Sequence, residues 1–268
     1  MNDVVLDITG LQVLDRRTGA PRTPVLGFRL RRGELLGIAG PSGAGKSLTL
    51  KAVMGLMPSS LTQAGEVVLC GRSLARASEK ERRWLRESLM GLVMQNPMGC
   101  FDPTQRIGSQ LSHLFTTGVH RRNPAEIRRQ SVALLEQMNL DHGEALLHCY
   151  PHELSGGMLQ RIMIGMSMHH GPAVFLADEP TTAVDAENQM RITGQLQEMK
   201  ASGRSGMVVV SHDIGFLEQL TDRILYLMPP GQGEEDGVSA AAALAGGRSV
   251  LLNAFRALCG RETEVTHG

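Results

Sequence analysis

The segment VVLDITGLQVL (4–14) alternates apolar and polar positions, the period-two pattern of a strand with one buried face. ELLGIAG (34–40) is a short apolar run closed by glycine and predicts a buried strand. Directly after it, SLTLKAVMGLM (47–57) spaces its apolar residues for a helix. GEVVLCG (65–71) predicts another strand, and the charged SEKERRWLRESL (78–89) an exposed helix. From about 103 to 170 no strong strand pattern appears. That region reads as helical, with a break at RRNPAE (121–126). Strand character returns in AVFLADE (173–179) and GMVVVSHD (206–213). A helix, AENQMRITGQLQEMKASG (186–203), lies between them and ends in a glycine stop. Alternating strands and helices on both sides of a helical stretch predict a parallel α/β core with a helical lobe.

Composition narrows the function classes. Apolar residues make up 42% of 268, enough for a sizeable core. Lys+Arg and Asp+Glu both number 27, so bulk charge gives no reason to expect a nucleic-acid partner. Cys70, Cys100, Cys149 and Cys259 lie far apart and form no ligand cluster, so reduced thiols are expected. The opening MNDVVLDITG has neither a basic nor an apolar signal region. No apolar run reaches the ~20 residues of a spanning helix. Beyond Pro229, PPGQGEEDG reads as a loop and SAAAALAGG is of low complexity.

GPSGAGKS, from Gly40 through Pro41, Ser42, Gly43, Ala44, Gly45 and Lys46 to Ser47, matches G-x-x-x-x-G-K-[ST] in full. It sits between a predicted strand and a predicted helix, where the chemistry needs it. The glycines let backbone N–H groups converge on phosphate oxygens, and the following helix adds its positive end. Lys46 is placed for the β- and γ-phosphates and the Ser47 hydroxyl for Mg²⁺. AVFLADEP ends an apolar strand in Asp178 and Glu179. Asp178 suits the Mg²⁺ shell, and Glu179 suits a general base acting on water. VVVSHD places His212 at the end of another apolar strand, the edge at which parallel sheets meet their ligands.

Taken in order, GPSGAGKS, MQNP, LSGGMLQR and LADEPTTAVD, followed by SHD, closely resemble the ATPase subunit of ABC transporters over about residues 3–228. The resemblance implies a P-loop NTPase (RecA-like) core with an N-terminal antiparallel β subdomain and an inserted helical subdomain. The implied division is core 1–95 and 171–230, helical subdomain 96–170 and C-terminal segment 231–268. It makes Gln95 a sensor of Mg²⁺ and attacking water, Asp185 part of the D-loop, and His212 the switch histidine. It also accounts for Gly156 and Gly157, two adjacent glycines at a helix start that cost about 1 kcal/mol each relative to alanine. In the family two ATPase domains pair head to tail, so Ser155, Gly156 and Gly157 would meet the γ-phosphate held by the partner's P-loop.

Finer details (VMQNPMGCFDP, YPHELSGGMLQR) resemble the peptide and nickel importer branch, with a nickel or metal-chelate flavour. The implied partners are a second ATPase subunit, identical or paralogous, two membrane permeases, and indirectly a solute-binding protein. The implied location is the cytoplasmic face of the bacterial inner membrane. NPMGCFDP joins Gln95 to the helical lobe, and its Met98 and Phe101 are expected to lie exposed on a permease-docking face. The family's adenine-stacking aromatic is missing from LQVLDRRTG, leaving Arg16 or Arg17 as stand-ins. The lone Cys259 argues against the iron–sulfur cluster of peptide-importing relatives. Rival classes are a dipeptide or oligopeptide importer subunit, a soluble non-transport ABC ATPase, and a non-catalytic regulatory cassette. The last would want Glu179 or His212 missing, and both are present.

Overall fold

The computed structural model describes residues 3–116, 123–182 and 184–229. In chain order its strands and helices are β1 (Val4–Asp15), β2 (Leu26–Arg31), β3 (Leu35–Ala39), α1 (Lys46–Met54), β4 (Leu61–Leu69) and β5 (Arg72–Ser73). There follow α2 (Glu79–Leu89), β6 (Met90–Val93), α3 (Ile107–Thr116), α4 (Pro124–Gln137), α5 (Gly143–Leu146) and α6 (Gly156–Met168). The last are β7 (Val174–Asp178), α7 (Ala186–Ala201), β8 (Gly206–Val210), α8 (Ile214–Leu220) and β9 (Arg223–Tyr226).

Two sheets organise them. One is antiparallel, in the order β2-β1-β4-β5; the other is parallel, in the order β6-β7-β8-β3-β9. The fold is therefore α/β, with a P-loop-type parallel core, an antiparallel β layer and an inserted run of helices. Both faces of the parallel sheet are covered, which is why β3, β7 and β8 read as unbroken apolar runs rather than alternating ones. Their side chains still sort by parity. Leu35, Phe175, Ala177, Met207 and Val209 pack with the helical layer. Leu36, Ile38, Val174, Leu176, Val208 and Val210 pack with α1 and the antiparallel sheet. Each fully buried leucine or valine contributes about 1.5–3 kcal/mol.

Several elements depart from the sequence pattern. α1 stops at Met54 because Gly55 turns left-handed at φ 65° and its N–H bonds back to Ala52 and Lys51 carbonyls. β2 alternates buried and exposed residues without a break, yet carries no turn signal of its own. β6 begins at the very residue that caps α2: Met90 has φ −123° and ψ 136°. The predicted break at 121–126 falls partly outside the described residues; α4 starts at Pro124 behind an Asn123 cap. Residues beyond 229, including the low-complexity tail and Cys259, lie outside them as well.

Register decides where the chemistry lies. Ile38 of β3 and Asp178 of β7 both pair with Val210 of β8. Val93 of β6 pairs with Ala177. The carboxyl ends of four strands are level, so Gly40, Gln95, Glu179 and His212 leave the sheet at one edge.

Candidate nucleotide-binding and hydrolysis site

The loop after β3 is built by backbone that only glycine tolerates. Gly40 has φ 149°, and a Cβ there would sit 2.3 Å from the Leu227 carbonyl. Gly45 has φ 87°, and its Cβ would meet Thr23 Cγ2 at 2.8 Å and the Arg22 carbonyl at 3.0 Å. Pro41, Ser42 and Gly43 are exposed, while Ala44 is buried beneath them. Gly45 caps α1 without a side-chain hydrogen bond, and no acid stands in the first turn. The first N–H groups of α1 thus face outward with the positive end of the helix, a preformed cradle for an anion.

Lys46 is only 8% exposed. Its ammonium donates to the carbonyls of Gly40 at 2.8 Å and Pro41 at 2.9 Å. Burial lowers its pKa; the charges of Glu179 and Asp178 act through space to oppose that shift. Ser47 Oγ donates to Asp178 Oδ1 at 3.0 Å. Burial raises the Asp178 pKa, the Ser47 bond pulls it down, and the neighbouring Glu179 charge pushes it up again. A hydroxyl and a carboxylate converging beside an anion cradle are hard oxygen donors that fit Mg²⁺.

Glu179 stands in an uncommon conformation, φ 49°. A left-handed non-glycine residue costs about 1–2 kcal/mol, and such strain gathers at functional sites. Three contacts hold it: its N–H donates to the Val210 carbonyl at 2.9 Å, Thr182 Oγ1 donates to Oε2 at 2.6 Å, and His212 Nδ1 lies 2.6 Å from the same oxygen. The glutamate side chain is 11% exposed and the histidine 65%, so the pair bridges the sheet edge and solvent. Gln95 follows β6 at an exposed bend on the same edge.

Ser155, Gly156, Gly157 and Asp185 form a second group. Ser155 caps α6, its Oγ accepting from the Met158 N–H at 3.2 Å. That bond uses the oxygen and leaves the hydroxyl proton to donate outward. A Cβ on Gly156 would meet nothing within 4 Å, whereas one on Gly157 would lie 2.7 Å from the Asn188 carboxamide. In the single chain the two glycines are therefore bare for different reasons. Asp185 caps α7, and the Asn188 N–H that it accepts is the main cause of its lowered pKa.

One expectation needs correction, the exposure of Phe101. Phe101 is 6% exposed and belongs to the helical core, because the single-turn helix Pro97–Cys100 folds it inward; only Met98, at 43%, is exposed. Of the arginines near the missing aromatic, Arg16 bonds the Leu61 carbonyl. Arg22 abuts Gly45 with its backbone, and its guanidinium lies 2.8 Å from Asp15 and holds that carboxyl at about 2. Arg22 and Asn188 belong to none of the motifs; Thr182 lies inside LADEPTTAVD, where only its spacing of three residues from Glu179 signals its part. Cys70, Cys100 and Cys149 are free thiols.

The ABC transporter family profile matches residues 25–182, more than half of the chain. The chain belongs to the ABC transporter family. Among curated relatives, the metal-staphylopine import ATP-binding protein CntD of Staphylococcus aureus (strain Mu50) is 34% identical over 234 residues, 87% of this chain and 85% of the relative. The oligopeptide transport ATP-binding protein OppD of Salmonella typhimurium is 35% identical over 228 residues, 84% and 68% of the two chains. Among solved structures, a dimeric ATP-binding cassette in a post-hydrolysis state, bound to ADP and Pi, superposes with TM-score 0.72 at 25% identity. That match covers 83% of this chain and 94% of the other. By its family match together with its import-system relatives, the protein is the ATP-binding subunit of an ABC importer, and the family implies ATP hydrolysis coupled to transport. Among the described residues no helix is long and apolar enough to cross a membrane.

Proposed function

We propose that this chain hydrolyses MgATP at a head-to-tail ATPase dimer and thereby drives import of nickel or a metal chelate. The observation that carries the reading is one sheet edge holding an uncapped helix N-terminus, the Ser47–Asp178 pair and the Glu179–His212 pair. Backbone N–H groups of the non-proline residues of the loop 40–47 and the Lys46 ammonium bind the phosphates. Ser47, Asp178 and Gln95 would hold Mg²⁺, which supplies charge neutralisation on the phosphate oxygens. Glu179 Oε2 takes the proton of the attacking water, and His212 and Thr182 keep that oxygen in place. Ser155, Gly156, Gly157 and Asp185 complete the partner's site, a reading supported by the open space over Gly156.

The remaining partners are two permeases and, through them, a solute-binding protein, with the ATPase peripheral on the cytoplasmic face of the inner membrane. Met98 marks the docking face, because it is the exposed apolar residue on the segment that leads from Gln95. Met98→Cys is expected to crosslink to a permease in the assembled transporter and Phe101→Cys is not. Crosslinking from Phe101 alone would move the docking face elsewhere.

Metal-chelate cargo is supported by the match to CntD, which spans most of both chains. OppD is as similar in identity and supports a peptide cargo as the second reading. Uptake of nickel-63 and of a labelled dipeptide, in cells with and without the gene, separates them. Loss of metal uptake on deletion is expected. Loss of dipeptide uptake with metal uptake intact replaces the first reading by the second.

A further inference from the structure

Asn188 belongs to none of the motifs, and it touches two of them. Its backbone N–H donates to Asp185 Oδ1 at 2.8 Å, as the third residue of a capped helix does. Its side chain adds a second bond, Nδ2 donating to Asp185 Oδ2 at 3.0 Å. Both oxygens of one carboxylate are thus held by one residue. The same carboxamide occupies the space beside Gly157: a Cβ there would lie 2.7 Å from its Cγ and Nδ2 and 3.0 Å from its Oδ1. One turn along α6, the buried Arg161 ties the helix down. Its guanidinium donates to the carbonyls of Gly157 at 3.4 Å, Met138 at 3.3 Å and Asn139 at 2.7 Å.

We propose that Asn188 is a positioning residue that joins the Asp185 carboxylate to the first turn of α6, so that both meet the partner's nucleotide in one fixed relation. The inference rests on the reading of residues 155–157 and 185 as the half-site that completes the partner's. The chemistry explains the residue type. A carboxamide donates to a carboxylate while remaining neutral. Aspartate of the same shape would place a second negative charge against Asp185, and an apolar side chain would leave Oδ2 without its donor. Contact with Gly157 does the rest. The bare α-carbon lets the amide approach the helix backbone, so a shift of α7 is felt at the N-terminus of α6 without an intervening flexible side chain. Gly157 is then kept free of a side chain from within its own chain, and Gly156 from outside it.

The test is a double-mutant cycle in the assembled transporter, with ATP turnover as the readout. Asn188→Ala is expected to lower kcat about tenfold, the scale of a small misplacement of reacting groups. The isolated chain should still bind mant-ATP within about twofold of parental affinity, since its own phosphate loop is untouched. Asn188→Asp, which keeps the shape, should be at least as slow as Asn188→Ala. Gly157→Ala should also be slow. The double variant Gly157→Ala with Asn188→Ala should be faster than the product of the two single effects by about fivefold, because truncating the amide opens room for the methyl group. Strictly multiplicative effects, or parental kcat in Asn188→Ala or Asn188→Asp, would overturn the inference. Lys46→Ala in the same preparation separates the two levels. If it also turns over at the parental rate, the site itself is misread. If it is dead while the cycle is multiplicative, only the role of Asn188 falls.

Discussion

Glu179→Gln is expected to bind ATP as the parent does and to hydrolyse it at least about a hundredfold more slowly, the usual weight of a positioned base. Glutamine keeps the length and branching of glutamate, so the left-handed backbone at φ 49° and its N–H bond to Val210 remain available. Its carbonyl oxygen can still accept from Thr182 Oγ1. What it cannot do is take a proton from water. A stalled site should hold the closed pair together, so sizing chromatography with ATP is expected to show a larger species than with ADP. The assay is phosphate release from the assembled transporter. Parental turnover would take the base away from Glu179 and leave His212 to be tested by His212→Ala.

The loop at 40–47 was legible because its conformation is written in local sequence. Eight consecutive residues specify a turn, a helix start and one lysine, and the structure puts them between β3 and α1 as the pattern requires. Asp178 and Glu179 were legible for a related reason: an apolar strand that ends in two acids must deliver them to the sheet edge, and register with Val210 levels that edge with the phosphate loop. The strands that escaped notice are short or unpunctuated. β9 has four residues, and β6 starts with no turn after α2. Their identity is set by neighbours in the sheet, not by their own periodicity.

Phe101 shows where the reading of an interface from apolar residues on a linking segment fails. Its place in NPMGCFDP, between Gln95 and the helical lobe, argues for exposure together with Met98. The decision belongs to the helical core, whose other buried members, Phe115 and Leu147 among them, come from elsewhere in the sequence. Asn188 shows the opposite case. Nothing in AENQ separates it from a solvated helix residue; its meaning comes from Gly157, which is 31 positions away and presents backbone rather than a side chain. Contacts made with bare backbone leave no periodic trace.

Lys46→Ala is expected to leave a folded protein with ATP turnover reduced to roughly a thousandth, since it removes a preorganised, largely buried positive charge. Lys46 also has a structural task that the motif does not reveal. Its ammonium closes the loop on itself through the Gly40 and Pro41 carbonyls. Alanine loses both bonds, and it also removes the burial penalty that lowers the lysine pKa, so the two effects on stability oppose each other. A fall in melting temperature of less than about 5 °C is expected, corresponding to a net loss of about 1–2 kcal/mol in a domain of this size. Lys46→Met keeps the apolar stem while removing the charge. It should match Lys46→Ala in turnover and lie closer to the parent in melting temperature. The two measurements, phosphate release with the permeases present and thermal melting of the isolated chain, are read together. Lost turnover with a near-parental melt in both variants assigns the effect to charge at the phosphates. Substantial turnover in a well-folded Lys46→Met would show that the phosphate loop works without its lysine, and the ATPase assignment of this site would fail with it.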